Sequence, residues 1–217
     1  MSEKPDSAET APRQRRKQAR PQELLEAALD LFCEKGFAAA RTDEVARRAG
    51  VSKGTLYLYY PSKEELFKAV VRHNLSSLIA EGQELVGQFD GSSSELLAML
   101  MNTWWQRVGN APAAGIHKIV LAEVRNFPEL AQFYADEVIL PADRLFRGIV
   151  ERGIARGEFR AMPTHEVATM LMAPLIFMAV HRHSFGACPV HDGMDCPPEQ
   201  LLATHLDLVL RGMERRD

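Results

Sequence analysis

The sequence predicts an all-α protein, because apolar residues recur at steps of three and four in one segment after another, with helix-capping residues between the segments. The 217 residues, 46% of them hydrophobic, are enough to bury a sizeable core. The longest uninterrupted apolar run, Met170–Val180, spans 11 residues. About 18 would indicate a membrane-spanning helix. With no signal peptide and three unevenly spaced cysteines, we expect a cytoplasmic protein that does not enter a membrane.

The first helix is predicted to begin at Pro21 and to end at Gly36, since proline suits a first helical turn and glycine a helix end. Its apolar stripe consists of Leu24, Leu25, Ala28, Leu31 and Phe32. Residues 1–20 are predicted to be a flexible arm, with five positive charges between Arg13 and Arg20. Such a run is often only solvated, but its place ahead of a compact helical unit suits contact with nucleic acid.

Two short helices follow, and they are joined by a tight link over residues 49–52. Thr42 is predicted to cap the first of them, which Gly50 ends. Ser52 is predicted to cap the second, which Pro61 closes. Three short helices with this spacing are typical of a helix-turn-helix.

The charges divide the chain into a basic head and an acidic body. Residues 13–63 carry eleven Lys and Arg against six Asp and Glu, a net charge of +5, whereas the rest of the chain has a net charge of −8. A basic head on an acidic body favours a polyanionic partner for the head.

The helix that begins after Ser52 is predicted to present hydrogen-bond donors outward. Helical spacing puts Lys53 and Tyr57 on one outward face and Thr55 and Tyr59 on another. All four side chains can donate to phosphate oxygens. Gly54 destabilises a helix by about 1 kcal/mol relative to alanine, which favours a partner that approaches the backbone closely.

The run from Thr42 to Tyr57, followed by Tyr60 to Leu66, resembles the DNA-binding signature of the TetR family of transcriptional regulators. The similarity is strong over residues 20–68, and Leu58 departs from it, because family members often carry an aromatic or polar residue there. The resemblance implies that Thr42 and Lys63 hold phosphates. The implied DNA-binding residues are Arg20, Thr42, Ser52, Lys53, Gly54, Thr55, Tyr57, Tyr59 and Lys63.

The resemblance also implies the architecture and activity of the whole chain. We expect about nine helices, with a DNA-binding head over residues 21–67 and a ligand-binding and dimerisation body over residues 68–217. The fourth helix, predicted to be capped by Ser62, continues from the head into the body. The expected partners are a palindromic double-stranded DNA operator, a small hydrophobic effector and a second copy of the chain. The expected function is repression, without enzymatic activity or a cofactor.

Residues of the body are assigned to two sites. Methionine and aromatic side chains could line an adaptable pocket, although residues at such spacing also form cores. The candidates are Met101, Trp104, Trp105, His117, Phe133, Tyr134, Met170 and Phe177. The last two helices are apolar on more than one side, which favours a dimer interface. Its candidates are Val167, Met170, Leu171, Pro174, Met178, Leu202, Leu206 and Val209.

One alternative function rests on the segment of residues 181–196. His183, Cys188, His191 and Cys196 could supply four ligands to zinc, or the cysteines could have a redox role. The segment lacks paired Cys-x-x-Cys spacing and is rich in loop-forming residues, so we favour a loop. A metal- or redox-dependent protein or enzyme built on this segment is the alternative to a regulator. No sequence motif for nucleophilic or metal-dependent catalysis accompanies it.

Overall fold

The structure, a computed structural model, describes residues 11–184, 186 and 197–215, with side chains from residue 21 onward. The chain divides into two units, with the boundary between Val70 and Val71. Regular secondary structure in these residues is helical, apart from one antiparallel bridge between Phe159 and Glu214. The prediction of an all-α fold is confirmed.

The first unit contains α1 (Ala11–Ala39), α2 (Thr42–Arg48), α3 (Lys53–Tyr59) and nearly all of α4 (Lys63–Val71). The predicted start of α1 at Pro21 is wrong, because the helix begins at Ala11 and includes Pro21. Alanine, arginine, lysine and glutamine dominate residues 11–20, and all four are strong helix formers. These residues are therefore helical where a flexible arm was predicted. Gly36, with φ 78° and ψ 169°, interrupts the helix near its predicted end.

Three phenylalanine rings form the centre of the first unit. Phe67 packs edge-on against Phe32 and Phe37, with ring centroids 5.3 Å apart in both pairs. Tilted and edge-on pairs of this kind are favourable beyond the area they bury. Other buried residues of the first unit include Leu24, Ala28, Leu31, Val45, Leu56 and Leu66. This core fixes α2 and α3 against α1, so the exposed side of α3 is set by the burial of Leu56.

The second unit contains the remaining helices. They are α5 (Ser77–Gln88), α6 (Ser93–Trp104), α7 (Gly115–Glu123), α8 (Pro128–Tyr134), α9 (Leu140–Ala155), α10 (Thr164–Arg182) and α11 (Pro198–Met213). Three π-helical segments, Arg72–Ser76, Trp105–Gly109 and Ala135–Ile139, adjoin them, and a 3₁₀ turn, Pro112–Ala114, precedes α7. When adjoining segments are counted as one helix, the described chain has nine helices, as predicted. None of these helices is long and apolar enough to cross a membrane.

Residues 128–155 form one continuous helical run, in which the π-helical segment Ala135–Ile139 lies between α8 and α9. Pro141 lies in the first turn of α9, directly after that segment. Proline is tolerated there because the first amides of a helix lack intrahelical acceptors.

The core of the second unit joins α6, α9, α10 and α11. Its fully buried members include Leu96, Leu97, Met101, Ile149, Val150, Leu171 and Leu175. A reciprocal capping box between Ser92 and Glu95 begins α6. Glu158 Oε2 accepts a second hydrogen bond at this end, from the Ser93 amide at 2.7 Å. These bonds satisfy amides that a helix leaves without partners at its start.

Candidate nucleic-acid interface and internal cavity

The start of α3 is fixed by a turn and a cap. Gly50 has φ +66°, and a Cβ there would meet nothing within 4 Å, so the backbone conformation and not a lack of space favours glycine. Ser52 Oγ accepts a hydrogen bond from the Thr55 amide at 3.0 Å, which confirms the predicted cap. The same Oγ lies 2.8 Å from Thr55 Oγ1, so both hydroxyls are oriented before any partner binds.

The side of α3 opposite Leu56 is open to solvent. Lys53, Tyr57 and Tyr59 are exposed, and Leu58 is the most exposed large apolar residue in the described part of the chain, at 85%. The Lys53 ammonium lies 5.7 Å from the centroid of the Tyr57 ring. A Cβ at Gly54 would meet only Ser52 Oγ, at 3.8 Å. Among the described residues, packing around Gly54 therefore leaves room for a side chain.

Thr42 has a different local role from the one predicted. Arg41, with φ −116° and ψ 136°, is the N-cap residue of α2 and makes no capping bond with its side chain, so the predicted cap at Thr42 is wrong. Thr42 is buried, and its Oγ1 lies 2.9 Å from Tyr57 Oη. Two hydroxyls carry two protons, and their mutual bond uses one of them. The pair therefore joins α2 to α3 and keeps one O–H available to a partner.

The Lys63 side chain forms hydrogen bonds within the first unit, the DNA-binding head of the sequence analysis. Its Nζ donates to the carbonyl oxygens of Phe37 at 2.8 Å and Ala38 at 3.0 Å, and it lies 4.6 Å from the centroid of the Phe37 ring. These carbonyls lie at the end of α1, where helical acceptors lack intrahelical donors. The family resemblance assigned Lys63 to a phosphate. Two of its three donors have intramolecular acceptors, so at most one remains for a phosphate, and the assignment stays a prediction.

Other charges of the head form ion pairs on its surface. Arg48 binds Glu34 through both carboxylate oxygens, at 2.7 and 2.8 Å, and Lys35 lies 2.7 Å from Glu44. A hydrogen bond from Arg41 holds the pKa of the Asp43 carboxyl below its usual value. Lys53 therefore stands out as an exposed cation on the open side of α3. The side chain of Arg20, another predicted contact, lies outside the described part of the structure.

The second unit encloses a cavity of about 950 Å³, bounded by α5, α6, α7, α9, α10 and neighbouring segments. Its walls are mainly aliphatic, and they include Leu78, Ile79, Leu100, Val120, Leu145 and Ile176. The ionisable residues among the lining are Glu81, Arg107, His117, Tyr134, Asp143 and His165. Cavities of this size and character are typical of small-molecule sites.

Four of the eight predicted pocket residues line this cavity, and these are Trp104, His117, Tyr134 and Phe177. The other four do not. Met101 and Trp105 are buried in the core of the second unit, and Phe133 is buried with the Arg72 guanidinium 4.9 Å from its ring centroid. Met170 is 65% exposed to solvent. A helical repeat identifies the buried face of a helix, but it does not distinguish a packed neighbour from a cavity.

His117 and Tyr134 form a buried polar pair in the cavity wall. His117 Nδ1 lies 2.6 Å from Tyr134 Oη, and the Trp104 ring lies 5.7 Å from the imidazole, centroid to centroid. Burial lowers the pKa of His117 to about 4, with a smaller contribution from His183, and burial raises the pKa of Tyr134 above its usual value. Both groups are therefore neutral near pH 7. His117 Nε2 is buried and has no hydrogen-bond partner among the described residues.

The charged residues of the cavity wall are matched with one another. Arg107 binds both carboxylate oxygens of Glu81, the longer contact being 3.2 Å. Asp143 Oδ1 lies 2.9 Å from His165 Nδ1. The Arg107 hydrogen bond lowers the pKa of Glu81. Arg107 and Glu81 balance each other's charge, and Arg147 Nη1 lies 3.7 Å from Asp143 Oδ2. The rest of the cavity wall is largely apolar.

The predicted dimer residues separate into buried and exposed groups. Leu171, Met178, Leu202 and Leu206 are buried in the core of the second unit, and their part in an interface stays a prediction. Val167, Pro174 and Val209 are half-buried. An apolar surface remains on α10 and α11, where Met170, Phe177 and Leu208 are 65%, 59% and 66% exposed, and Leu201 is also exposed.

The segment of the alternative zinc or redox site is described only in part. Cys188, His191 and Cys196 lie outside the described residues. The backbone carbonyl of His183 accepts a hydrogen bond from Lys118 Nζ at 2.6 Å. No group of three or more metal-ligating side chains occurs among residues 11–184, 186 and 197–215.

Two family models match the chain. The model of bacterial regulatory proteins of the tetR family matches residues 24–70, and the model of the tetracyclin repressor-like C-terminal domain matches residues 90–189. The HTH-type transcriptional repressor KstR2 of Rhodococcus jostii (strain RHA1) is 27% identical over 192 residues, or 88% of this chain and 91% of that protein. The fatty acid metabolism regulator protein of Bacillus subtilis (strain 168) is 24% identical over 149 residues, or 66% of this chain and 74% of that protein.

Solved structures share the fold. The fatty acid degradation regulator FadR from Bacillus halodurans superposes with a TM-score of 0.73 at 20% identity, covering 89% of this chain and 99% of that one. FadR from Bacillus subtilis in complex with stearoyl-CoA superposes with a TM-score of 0.69 at 19% identity and the same coverage.

Proposed function

The chain belongs to the TetR family of transcriptional regulators, and we propose that it is a repressor that binds a palindromic operator as a homodimer and releases it when a small apolar molecule binds. The observation that carries the DNA-binding part is the open side of α3, where Lys53, Tyr57, Leu58 and Tyr59 are exposed while Leu56 anchors the helix. We place this activity in the bacterial cytoplasm, where an operator is accessible.

In this proposal α3 enters a major groove, as the second helix of a helix-turn-helix does. Lys53 and Tyr59 donate to phosphates, and the remaining proton of the Thr42–Tyr57 pair donates to a third. Gly54 lets the backbone approach the duplex, because no side chain projects from it. Ser52 and Thr55 hold the first turn in place through their mutual bond.

The apolar surface formed by Met170, Phe177, Leu201 and Leu208 is the proposed dimer interface. Met170 and Phe177 are seven residues apart on α10, as are Leu201 and Leu208 on α11, so each pair lies on one helix face. His205 Nε2 lies 3.2 Å from the Leu171 carbonyl and links the two helices. A two-fold dimer formed through this surface would carry two copies of α3. In the proposed complex these two helices enter successive major grooves of the duplex, which are roughly 34–36 Å apart.

Repression and release follow the general rule that a ligand shifts an equilibrium only by its different affinity for two states. The effector binds in the cavity of about 950 Å³ and favours a state that fits the operator poorly. The helical segments Lys63–Val71, Arg72–Ser76 and Ser77–Gln88 follow one another without an intervening loop and are the proposed transmitter. The repressor KstR2 and the FadR complex with stearoyl-CoA are relatives that support repression and an apolar effector.

The salt dependence of operator binding tests the proposal. With a duplex selected from a random pool, the logarithm of affinity should fall linearly with the logarithm of salt concentration. Because each neutralised phosphate contributes about 0.9 to the slope, Lys53→Gln should reduce the slope by about 1.8 for a dimer. Arg125→Gln, which removes an exposed cation from the second unit, is the control and should leave the slope unchanged. An operator affinity that does not change with salt concentration, or equal slopes in all three proteins, contradicts the proposal. Bound zinc together with catalytic turnover would favour the metal-dependent alternative.

A further inference from the structure

We infer that the effector site is completed by the partner subunit, because the cavity opens along the same side of α10 that carries the proposed dimer interface. The partner covers the opening, so the dimer binds the effector more tightly than one subunit does. This inference rests on the proposed function, and it names the partner that completes the effector site. The observation that carries it is that Phe177 belongs both to the exposed apolar surface and to the cavity lining.

The cavity reaches solvent along one row of α10. Four of the α10 residues that line the cavity are also exposed, and these are His165, Thr169, Ala173 and Phe177. They follow one another at steps of four, so they form a single row along the helix. A side chain that faces both the cavity and solvent lies at an opening, and this row is therefore one edge of it.

The start of α9 lies beside this row. Leu140 and Asp143, three residues apart on α9, both line the cavity. Asp143 Oδ1 lies 2.9 Å from His165 Nδ1, which brings α9 against the first residue of the row. Leu140 is 50% exposed and Phe177 is 59% exposed, so apolar side chains at the opening are in contact with water. Exposed apolar surface next to a cavity favours a covering partner.

The opening and the proposed interface are adjacent around the axis of α10. Each residue of an α-helix turns the chain by about 100°, so Thr169, Ala173, Phe177 and Met170 follow one another within about 100° of arc. Thr169 and Ala173 belong to the opening, Met170 belongs to the interface, and Phe177 belongs to both. Leu171 lies on the opposite side of the helix, in the core.

A second copy that packs on the interface therefore also covers the opening. A two-fold interface is self-complementary, so the covering surface is the corresponding surface of the partner subunit. A helix with its side chains is about 10–12 Å wide. A partner helix that rests on Met170 and Phe177 consequently extends over Ala173, whose side chain is only a methyl group.

Covering the opening strengthens effector binding because it removes apolar ligand surface from water. Small-molecule sites usually bury about 70–90% of the surface of their ligand, and a single subunit leaves this cavity open along the row on α10. Covering about 60 Å² of apolar ligand surface corresponds to about tenfold tighter binding.

Dodecanol, a long apolar molecule with one hydroxyl, is the probe that tests the inference on the full-length protein. Tryptophan fluorescence follows its binding, since Trp104 lines the cavity. Leu201→Glu combined with Leu208→Glu should give monomers, because both residues are exposed on α11 and neither lines the cavity. Analytical ultracentrifugation measures assembly, and urea denaturation checks that the variant is folded. The monomer should bind dodecanol about tenfold more weakly than the original dimer. Leu58→Glu, at an exposed leucine of the first unit, is the control and should preserve both the dimer and its affinity for dodecanol.

Linkage between binding and association supplies a second measurement. Saturating dodecanol should lower the dissociation constant of the dimer about a hundredfold, tenfold for each of its two sites. The inference would be overturned by a dimer that does not bind dodecanol, by a monomer that binds it as tightly as the dimer, or by a dimer dissociation constant that dodecanol leaves unchanged. A Leu201→Glu and Leu208→Glu variant that stays dimeric would also overturn it, since the interface would then lie away from the opening.

These measurements omit DNA, so failure of the proposed function would appear separately. It would be seen as an operator affinity that neither dodecanol nor the loss of the dimer changes.

Discussion

Shortening Leu58 to alanine should weaken operator binding without changing the stability of the protein. Leu58 is 85% exposed on α3, between Tyr57 and Tyr59, so its side chain contributes little to the core. On a helix in a major groove, an apolar side chain at this position contacts base edges, and the thymine methyl group is its natural partner. The sequence marks Leu58 only as a departure from the family, and its exposure is what makes it a candidate contact.

The magnitude follows from the area that the contact buries. Complete burial of a leucine side chain contributes about 1.5–3 kcal/mol relative to exposure, and alanine retains the first carbon of that side chain. A loss of about 1 kcal/mol per subunit gives about 2 kcal/mol for a dimer, which is about a thirtyfold increase in Kd. The free energy of unfolding should change by less than about 0.5 kcal/mol, as for other exposed positions.

Fluorescence anisotropy with the selected duplex measures the Kd, and urea denaturation measures the stability. Leu121→Ala is the matched control, because Leu121 is an exposed leucine of the second unit. The control should bind the operator like the original protein when no effector is present. Unchanged affinity in Leu58→Ala, or a loss of stability that accounts for weaker binding, would refute this reasoning.

Three further predictions concern stability and assembly. Lys63→Met should reduce the free energy of unfolding by about 2 kcal/mol, because two acceptors at the end of α1 lose a charged donor; urea denaturation measures it, and an unchanged stability would contradict the intramolecular role. Phe177→Glu combined with Leu208→Glu should give monomers in analytical ultracentrifugation, since charges would lie in the proposed interface, and a dimer that survives both changes would place the interface elsewhere. The folded pKa of His117 is about 4 and its ordinary value is 6.5, so below pH 6.5 the unfolded chain binds a proton that the folded chain does not. Stability should therefore fall as the pH decreases from 6.5 to 4, by about 3 kcal/mol from this residue, and His117→Phe should fall less steeply. Equal pH dependence in the two proteins would contradict a buried neutral histidine.

The head was predictable in detail because its local signals agree with one another. The spacing of Gly50, Ser52 and Leu56 predicts a turn, a helix cap and a buried side chain in that order. The structure confirms all three. The cap predicted at Thr42 is wrong, and the intramolecular acceptors of Lys63 were not predicted, because local signals leave both side chains several partners. A threonine near a helix start can cap or pack, and a long lysine side chain can reach in several directions, so their partners depend on the tertiary fold.

The body was predictable as a set of helices but less so as a site. Met101 and Trp104 lie three residues apart on α6, yet Met101 packs into the core while Trp104 lines the cavity. Likewise, Leu171 is buried within its subunit and its neighbour Met170 is exposed. Periodicity identifies apolar faces, whereas the identity of what covers each face depends on neighbours distant in sequence.

Selection of bound sequences from a random duplex pool with the purified protein is the most direct test of the central claim, that α3 of each of two subunits reads one half of an operator. We predict a palindrome whose half-sites are separated, centre to centre, by about 10 base pairs or a multiple of that number. Enrichment of no sequence, or of one unrepeated site bound by a single subunit, would contradict the claim.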